Sequence, residues 1–189
     1  MNSGTATTHK PEAGEYAPYY GKYVSLVTTD DILAALRQQI SRTTATFSKI
    51  SEGHGNYSYA PDKWTVKQVL GHMIDVERIM SYRALRIARG DQTPLPGFEQ
   101  DDYVASADFN EISIAALLEE FAAVRNATVL LFRQLNADAW VRQGTASNNK
   151  VSVRALAYII AGHELHHLQV LNEKYLPALG RTGQVVGKT

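Results

Sequence analysis

Four stretches of this chain place apolar residues at alternating spacings of three and four, and that periodicity constrains the fold more than any other feature. The clearest is Ile114, Leu117, Phe121, Val124, Thr128, Leu131 and Leu135, a stripe along one helical face. Ile32, Leu36, Ile40, Phe47 and Ile50 come first in the chain, with Thr29 and Asp30 as candidate caps, and predict a helix from Asp30 to Ser51. Val66, Val69, Met73, Val76, Met80, Ala84 and Ile87 follow the capping box Thr65-Val66-Lys67-Gln68 and predict a helix to about Arg89, where Gly90 stops it. The last stripe is Val153, Leu156, Ile160, His163, His167, Val170 and Leu171, capped by Ser152 and ending before Pro177. With no convincing strand and no internal repeat, the expected fold is all-α, a four-helix bundle.

The connections qualify that expectation. Asp91 to Glu111, with Pro94, Pro96 and Gly97, is far longer than a helical hairpin needs, so it is expected to cross the bundle or cover a site. Asn136 to Trp140 reads as a short extra turn and Gly144 to Lys150 as a second irregular connection. Two such connections argue against a plain up-down-up-down order. Tyr16, Tyr19, Tyr20 and Tyr23 supply aromatic surface that can pack across a core. Residues 1–15 are expected as a flexible leader, 16–177 as a single domain and 178–189 as a flexible tail. Met1 to Gly14 has no apolar run, so neither a signal peptide nor a membrane span is expected, and the cytoplasm is the default location.

Charge and cysteine content narrow the chemistry. Lys+Arg and Asp+Glu both number 19 in the 189 residues, so no net field favours nucleic acid or an anionic membrane. With no cysteine, any metal must be held by imidazole or oxygen, which suits zinc, nickel, iron or manganese.

Three of the six histidines fall in His163-Glu164-Leu165-His166-His167. His163 and His167 lie about 40° apart around an ideal helix and ~6 Å apart along it, so two imidazoles can converge on one cation. Both interrupt an apolar stripe, where an unpartnered imidazole is costly; a hydrogen bond to a neighbouring helix would serve as well as a metal. His166 lies off the stripe and reads as a flank. The five residues also satisfy HExxH, with Glu164 as a protease general base, but the chain lacks the sheet that lines up a peptide. The other reading of Glu164 is a solvated face residue. For a third ligand, His72 leads because His9 and His54 fall in the leader and a loop; it sits beside its stripe by about 80°.

The run Lys63-Trp64-Thr65-Val66-Lys67-Gln68-Val69-Leu70-Gly71-His72-Met73-Ile74-Asp75-Val76-Glu77-Arg78, then Tyr82 to Asp91, then Ala161-Gly162-His163-Glu164-Leu165-His166-His167, resembles the DinB-like superfamily from about Tyr20 to Leu176. The resemblance implies a four-helix bundle of up-down-down-up order and a divalent metal on His72, His163 and His167. It implies a metal-dependent hydrolase, or a transferase or isomerase using an external low-molecular-weight thiol such as bacillithiol or mycothiol, acting on a small molecule. A homodimer is also implied, and DNA binding is not. The alternative function is a non-catalytic metal- or ligand-binding bundle.

Around that core, Arg83 and Arg86 lie within about 40° of the His72 direction and further along the helix, as candidates to face an anionic substrate. Pairing with acidic residues of the long loop is the competing reading. Asp75 and Glu77 are possible supporting carboxylates, Glu77 better suited to helix packing. Trp64, Phe98 and Tyr103 line either a pocket or the core.

Overall fold

The computed structural model describes residues 9–182 of the chain. After single turns at Ala13–Glu15 and Pro18–Tyr20, α1 (Gly21–Val24) leads to α2 (Ile32–Phe47) and α3 (Val66–Ala88). A short α4 (Gln100–Ser106) interrupts the long loop before α5 (Ile114–Arg133). Then come α6 (Ala137–Val141), strands β1 (Gln143–Ala146) and β2 (Asn149–Ser152), α7 (Val153–Val170) and α8 (Leu176–Thr182). The long helices start at side-chain caps: Asp31, Thr65, Ser113 and Ser152 each accept from the backbone N–H three residues on. Such a cap is worth ~1 kcal/mol. At Thr65 the reciprocal bond from its own N–H to Gln68 Oε1 completes the expected box at 2.9 Å. Gly90, at φ 84°, ends α3 in the left-handed conformation.

Residue pairs fix the bundle order. Gln39 donates to the Ala161 carbonyl and Thr43 to Glu164, so α2 and α7 run parallel. Thr65 meets Asn110 ahead of α5, while Ala88 at the end of α3 accepts from Arg142 beyond α5, so α3 and α5 also run parallel. Tyr175, after α7, donates to the Trp64 carbonyl ahead of α3, which sets those two antiparallel. Each of α2 and α3 packs on both α5 and α7. The order is therefore up-down-down-up, with α2 and α3 on one diagonal. Parallel α3 and α5 must be joined along the bundle's length, which is why the connection containing α4 is long.

Two expectations need correction. Gly144 to Lys150 is not irregular: β1 and β2 pair antiparallel from Gln143↔Ser152 to Ala146↔Asn149, and Leu95 adds a parallel bridge to Ala146. The turn residues Ser147 and Asn148 both take positive φ, 50° and 61°, the primed hairpin geometry; serine is a poor advertisement for it. Nor does helical structure stop before Pro177. The chain widens into a π-turn at Leu171–Tyr175, with the Leu176 N–H bonded to the Leu171 carbonyl, and continues without a break into α8. Pro177 lies just beyond this π-turn, a local widening of the i→i−4 ladder of the kind that accompanies helix irregularities at proline. The expected flexible tail thus begins with helix through Thr182, and its remainder lies outside the described residues. Of the expected leader, 1–8 are likewise outside, while Glu15 is buried and hydrogen-bonded to Ser152 and Arg154. Among the described residues no helix is long and apolar enough to cross a membrane.

The apolar core comes in two blocks. One gathers Leu36, Met80, Val129 and Ile160; the other gathers Phe47, Leu70, Phe121 and Leu168. Buried polar side chains from all four long helices lie between them: Gln39, Thr43, His72, Glu77, Arg125, His163 and Glu164.

Candidate metal centre and adjoining cleft

His72 on α3 and His163 and His167 on α7 converge in that polar layer. The Nε2 atoms of His72 and His167 lie 3.1 and 3.0 Å from His163 Nε2, and one donor atom from each ring falls within 4.8 Å of the others. An imidazole nitrogen carries either a proton or a lone pair, so His163 Nε2 cannot donate to one neighbour and accept from the other. A hydrogen bond therefore satisfies part of the triad at most, whereas one cation satisfies three lone pairs. The spacing agrees: ligands ~2.1 Å from an ion and 90–110° apart stand about 3.0–3.4 Å from each other.

Burial prepares the rings for that task. It pushes His72 down to about 4, and it holds His163 and His167 well below the usual imidazole range, with further depression from the neighbouring histidines. All three are neutral, the ligating form, at physiological pH.

Aromatic residues hold the rings in place. Trp64 packs over His72 at 4.5 Å between centroids and over His167 at 6.5 Å. Tyr23 meets His163 edge-on at 5.3 Å and His166 at 5.4 Å. Gly162 makes the Tyr23 approach possible, since a Cβ there would overlap the Tyr23 carbonyl. His166 is half-buried at the edge, as expected of a flank.

Glu164 is neither solvated nor free to act as a base, contrary to both readings of its place in HExxH. It is 2% exposed, accepts from Thr43 and lies 2.6 Å from Arg125 Nη2. One position on from His163 turns it about 100° away, into the contact between α7, α2 and α5. Burial pushes its carboxyl up, and Arg125 offsets part of that rise. Glu77, beyond His72 on α3, accepts from Arg125 Nε and from the same Nη2, each at 2.8 Å. This is the packing role expected for Glu77. Arg125 also donates to the Leu36 carbonyl and to Gln39, each at 3.1 Å. Asp75 faces Arg78 instead, at 3.9 Å.

A cleft of about 260 Å³ adjoins His163, walled by Tyr19, Tyr20, Tyr23 and Met80 on one side and by Phe98 and Asp101 of the long loop on the other. That loop therefore crosses the bundle and covers a site as well. Arg83 and Arg86 are not brought to the triad. Arg83 is buried and donates to the Pro96 carbonyl at 2.7 Å and Ser147 Oγ at 3.0 Å, holding the loop to the hairpin. Arg86 pairs with Asp91 and Tyr82. Of the three aromatics singled out from sequence, Trp64 covers the triad, Phe98 lines the cleft and Tyr103 stands half-exposed against Phe98 at 5.4 Å.

The profile of the DinB superfamily matches residues 35–171. The chain belongs to the DinB superfamily. A candidate metal-dependent hydrolase of Oceanobacillus iheyensis is 25% identical over 150 residues, which span 75% of this chain and 84% of that protein. YfiT from Bacillus subtilis, described as a probable metal-dependent hydrolase with an unusual four-helix bundle topology, aligns with a TM-score of 0.72 and 16% identity. The alignment covers 89% of this chain and 95% of that one, and at such identity it speaks to the fold.

Within this DinB-superfamily chain, four residues that matter to the site escaped the sequence reading: Tyr23 as a contact of His163, and Gln39, Thr43 and Arg125 in the layer beside it. For Arg125 a signal existed, since it lies four residues after Phe121 and eight after Leu117 on the buried face.

Proposed function

We propose that this protein is a divalent-metal hydrolase of small molecules, with His72, His163 and His167 as the ligands. The observation that carries the reading is the convergence of three neutral imidazoles on one point, His72 and His163 buried and His167 partly so, where hydrogen bonding alone cannot satisfy them. When bound, such an ion supplies Lewis acidity and lowers the pKa of a water or thiol brought to it. The chain's own residues do the rest. Trp64 and Tyr23 hold the rings in orientation, burial keeps protons off them, and the cleft beside His163 presents a substrate to the one open side. Since the sequence has no cysteine, a sulfur nucleophile would have to come from an external low-molecular-weight thiol, and the same geometry would serve it.

The test is elemental analysis of protein purified without a histidine tag or added ions, together with a screen of ester and amide probes with and without small thiols. About one divalent ion per chain is expected, lost in His163→Ala and His167→Ala. Protein that carries no metal, and gains no thermal stability from zinc, nickel or manganese, overturns the reading. Metal binding without turnover of any probe would reduce it to a non-catalytic metal-binding bundle.

A further inference from the structure

The walls of the cleft carry information about charge that the triad does not. Four aromatic residues line it, Tyr19, Tyr20, Tyr23 and Phe98, together with the exposed acidic residues Glu99 and Asp101. No lysine or arginine is among its lining residues. Neither carboxylate has an ion-pair partner among the described residues, and both are exposed. Of the two arginines that sequence offered for an anion, Arg86 is engaged on Asp91 and Tyr82, while Arg83 is not itself in the lining but donates to the Pro96 carbonyl and to the lining Ser147, with its guanidinium 5.7 Å from the Phe98 ring centroid. The tyrosine wall already shows what it accepts: the Lys22 ammonium stands 4.0 Å from the Tyr19 ring centroid and 4.8 Å from that of Tyr23. Electron-rich ring faces and carboxylates both attract cations and repel anions.

We propose that the cleft selects a small ligand with an apolar or aromatic body and a cationic group, and discriminates against anionic ligands. The body lies against Met80 and the rings, and the cation lies towards Glu99 and Asp101. The cleft is smaller than the ~300–1,000 Å³ of a drug-sized pocket, which limits the ligand to something near a single ring with a short substituent. The proposal deepens the functional reading above, because this cleft is the approach to His163. Its test nevertheless runs on metal-free protein, where no carboxylate can be drawn in by an ion.

Benzyltrimethylammonium, benzyl alcohol and phenylacetate are titrated against the metal-free full chain at fixed ionic strength, with affinities read by protein NMR shifts. The quaternary ammonium cannot ligate a metal, so its binding reports on the cleft alone. It is expected to bind about fivefold tighter than either other probe, a size typical of one cation–π contact with a nearby charge. The Glu99→Gln/Asp101→Asn double variant is expected to cut that preference to below about twofold. Metal content and melting temperature serve as the check that the fold and triad are intact, and Tyr19→Leu is the second variant, expected to weaken the cation alone. Phenylacetate binding as tightly as the cation, equal or absent binding of all three probes, or a preference unchanged in both variants overturns the proposal. A protein that binds no metal but keeps the cation preference would overturn the functional reading and leave this one standing.

Discussion

The His72–His163–His167 triad and the Glu77–Arg125–Glu164 cluster share α3 and α7, the second adding Arg125 from α5, yet they handle burial in opposite ways. In the Arg125 cluster every charge meets its opposite: the guanidinium forks onto Glu77 and reaches Glu164, Leu36 and Gln39, linking all four long helices. In the triad, His72 and His167 stand 3.1 and 3.0 Å from His163, and three bases of one kind must look outside the protein for a partner. A closed polar cluster specifies how helices pack, and an open one specifies what the bundle can bind.

The largest expected effect tests the closed half. Arg125→Met leaves two buried carboxylates without a cation and should cost about 3–5 kcal/mol in denaturant unfolding. His163→Ala in metal-free protein should change stability by less than ~1 kcal/mol, because it removes a buried polar group that lacked a full complement of partners. Similar losses in the two variants would show that the clusters do not differ in kind.

Next in size is the response of the open half to metal. Zinc or nickel at about a hundred times its dissociation constant should stabilise the folded chain by about 2.7 kcal/mol. His72→Ala, His163→Ala and His167→Ala should each abolish that gain in a thermal melt, whereas Glu164→Gln should retain it. Loss of the gain in Glu164→Gln would restore a direct role at the metal for that carboxylate and break the comparison.

The two clusters also differ in how legible they were. Histidine spacing on an apolar stripe pointed to His163 and His167, and the family resemblance supplied His72. The four helices, the caps Thr65 and Ser152 and the long crossing loop were likewise readable from periodicity and breakers, whereas α2 is capped by Asp31 and not by the candidates Thr29 and Asp30. The Arg125 cluster was passed over because apolar periodicity steps around polar residues. On α5 the stripe was drawn through Val124 and Leu131, which are only partly buried, while Arg125 and Phe132 take the core. On α2 it ran through Ile40, while Gln39 and Thr43 face inward. A side chain that is buried because it is paired cannot be recognised until its partners, 48 residues away for Glu77 and Arg125, are known. The cleft had the same fault: its walls come from the tyrosine segment and the long loop, which only the tertiary fold brings together.

A smaller effect asks how far the triad depends on its tyrosine wall. Gly162→Ala would push α1 off α7 through the Tyr23 carbonyl, at a cost of about 1–3 kcal/mol typical of overpacking. If the triad is self-sufficient, metal stoichiometry stays unchanged while binding in the cleft falls. Loss of metal in this variant would place Tyr23 and α1 among the elements that assemble the centre.

The smallest effect separates burial from pairing as the source of the Arg125 cluster's strength. Glu15 and Arg154 form a fork of the same chemistry nearer the surface, with Arg154 at 18% exposure against 1% for Arg125. Burial raises the Glu15 carboxyl, but hydrogen bonds from Arg154 and Ser152 outweigh it and leave the group below its usual range. A depressed carboxyl contributes stability that is fully present above its unfolded value of 4.5 and is lost as pH falls through the lower folded value. Glu15→Gln should therefore remove less than ~1 kcal/mol at neutral pH, in keeping with a solvent-screened pair, and nothing once Glu15 is protonated. Denaturant midpoints of wild type and variant should converge progressively as pH falls below the unfolded value of 4.5. A loss at neutral pH as large as that of Arg125→Met would mean that pairing geometry, and not depth, governs both clusters.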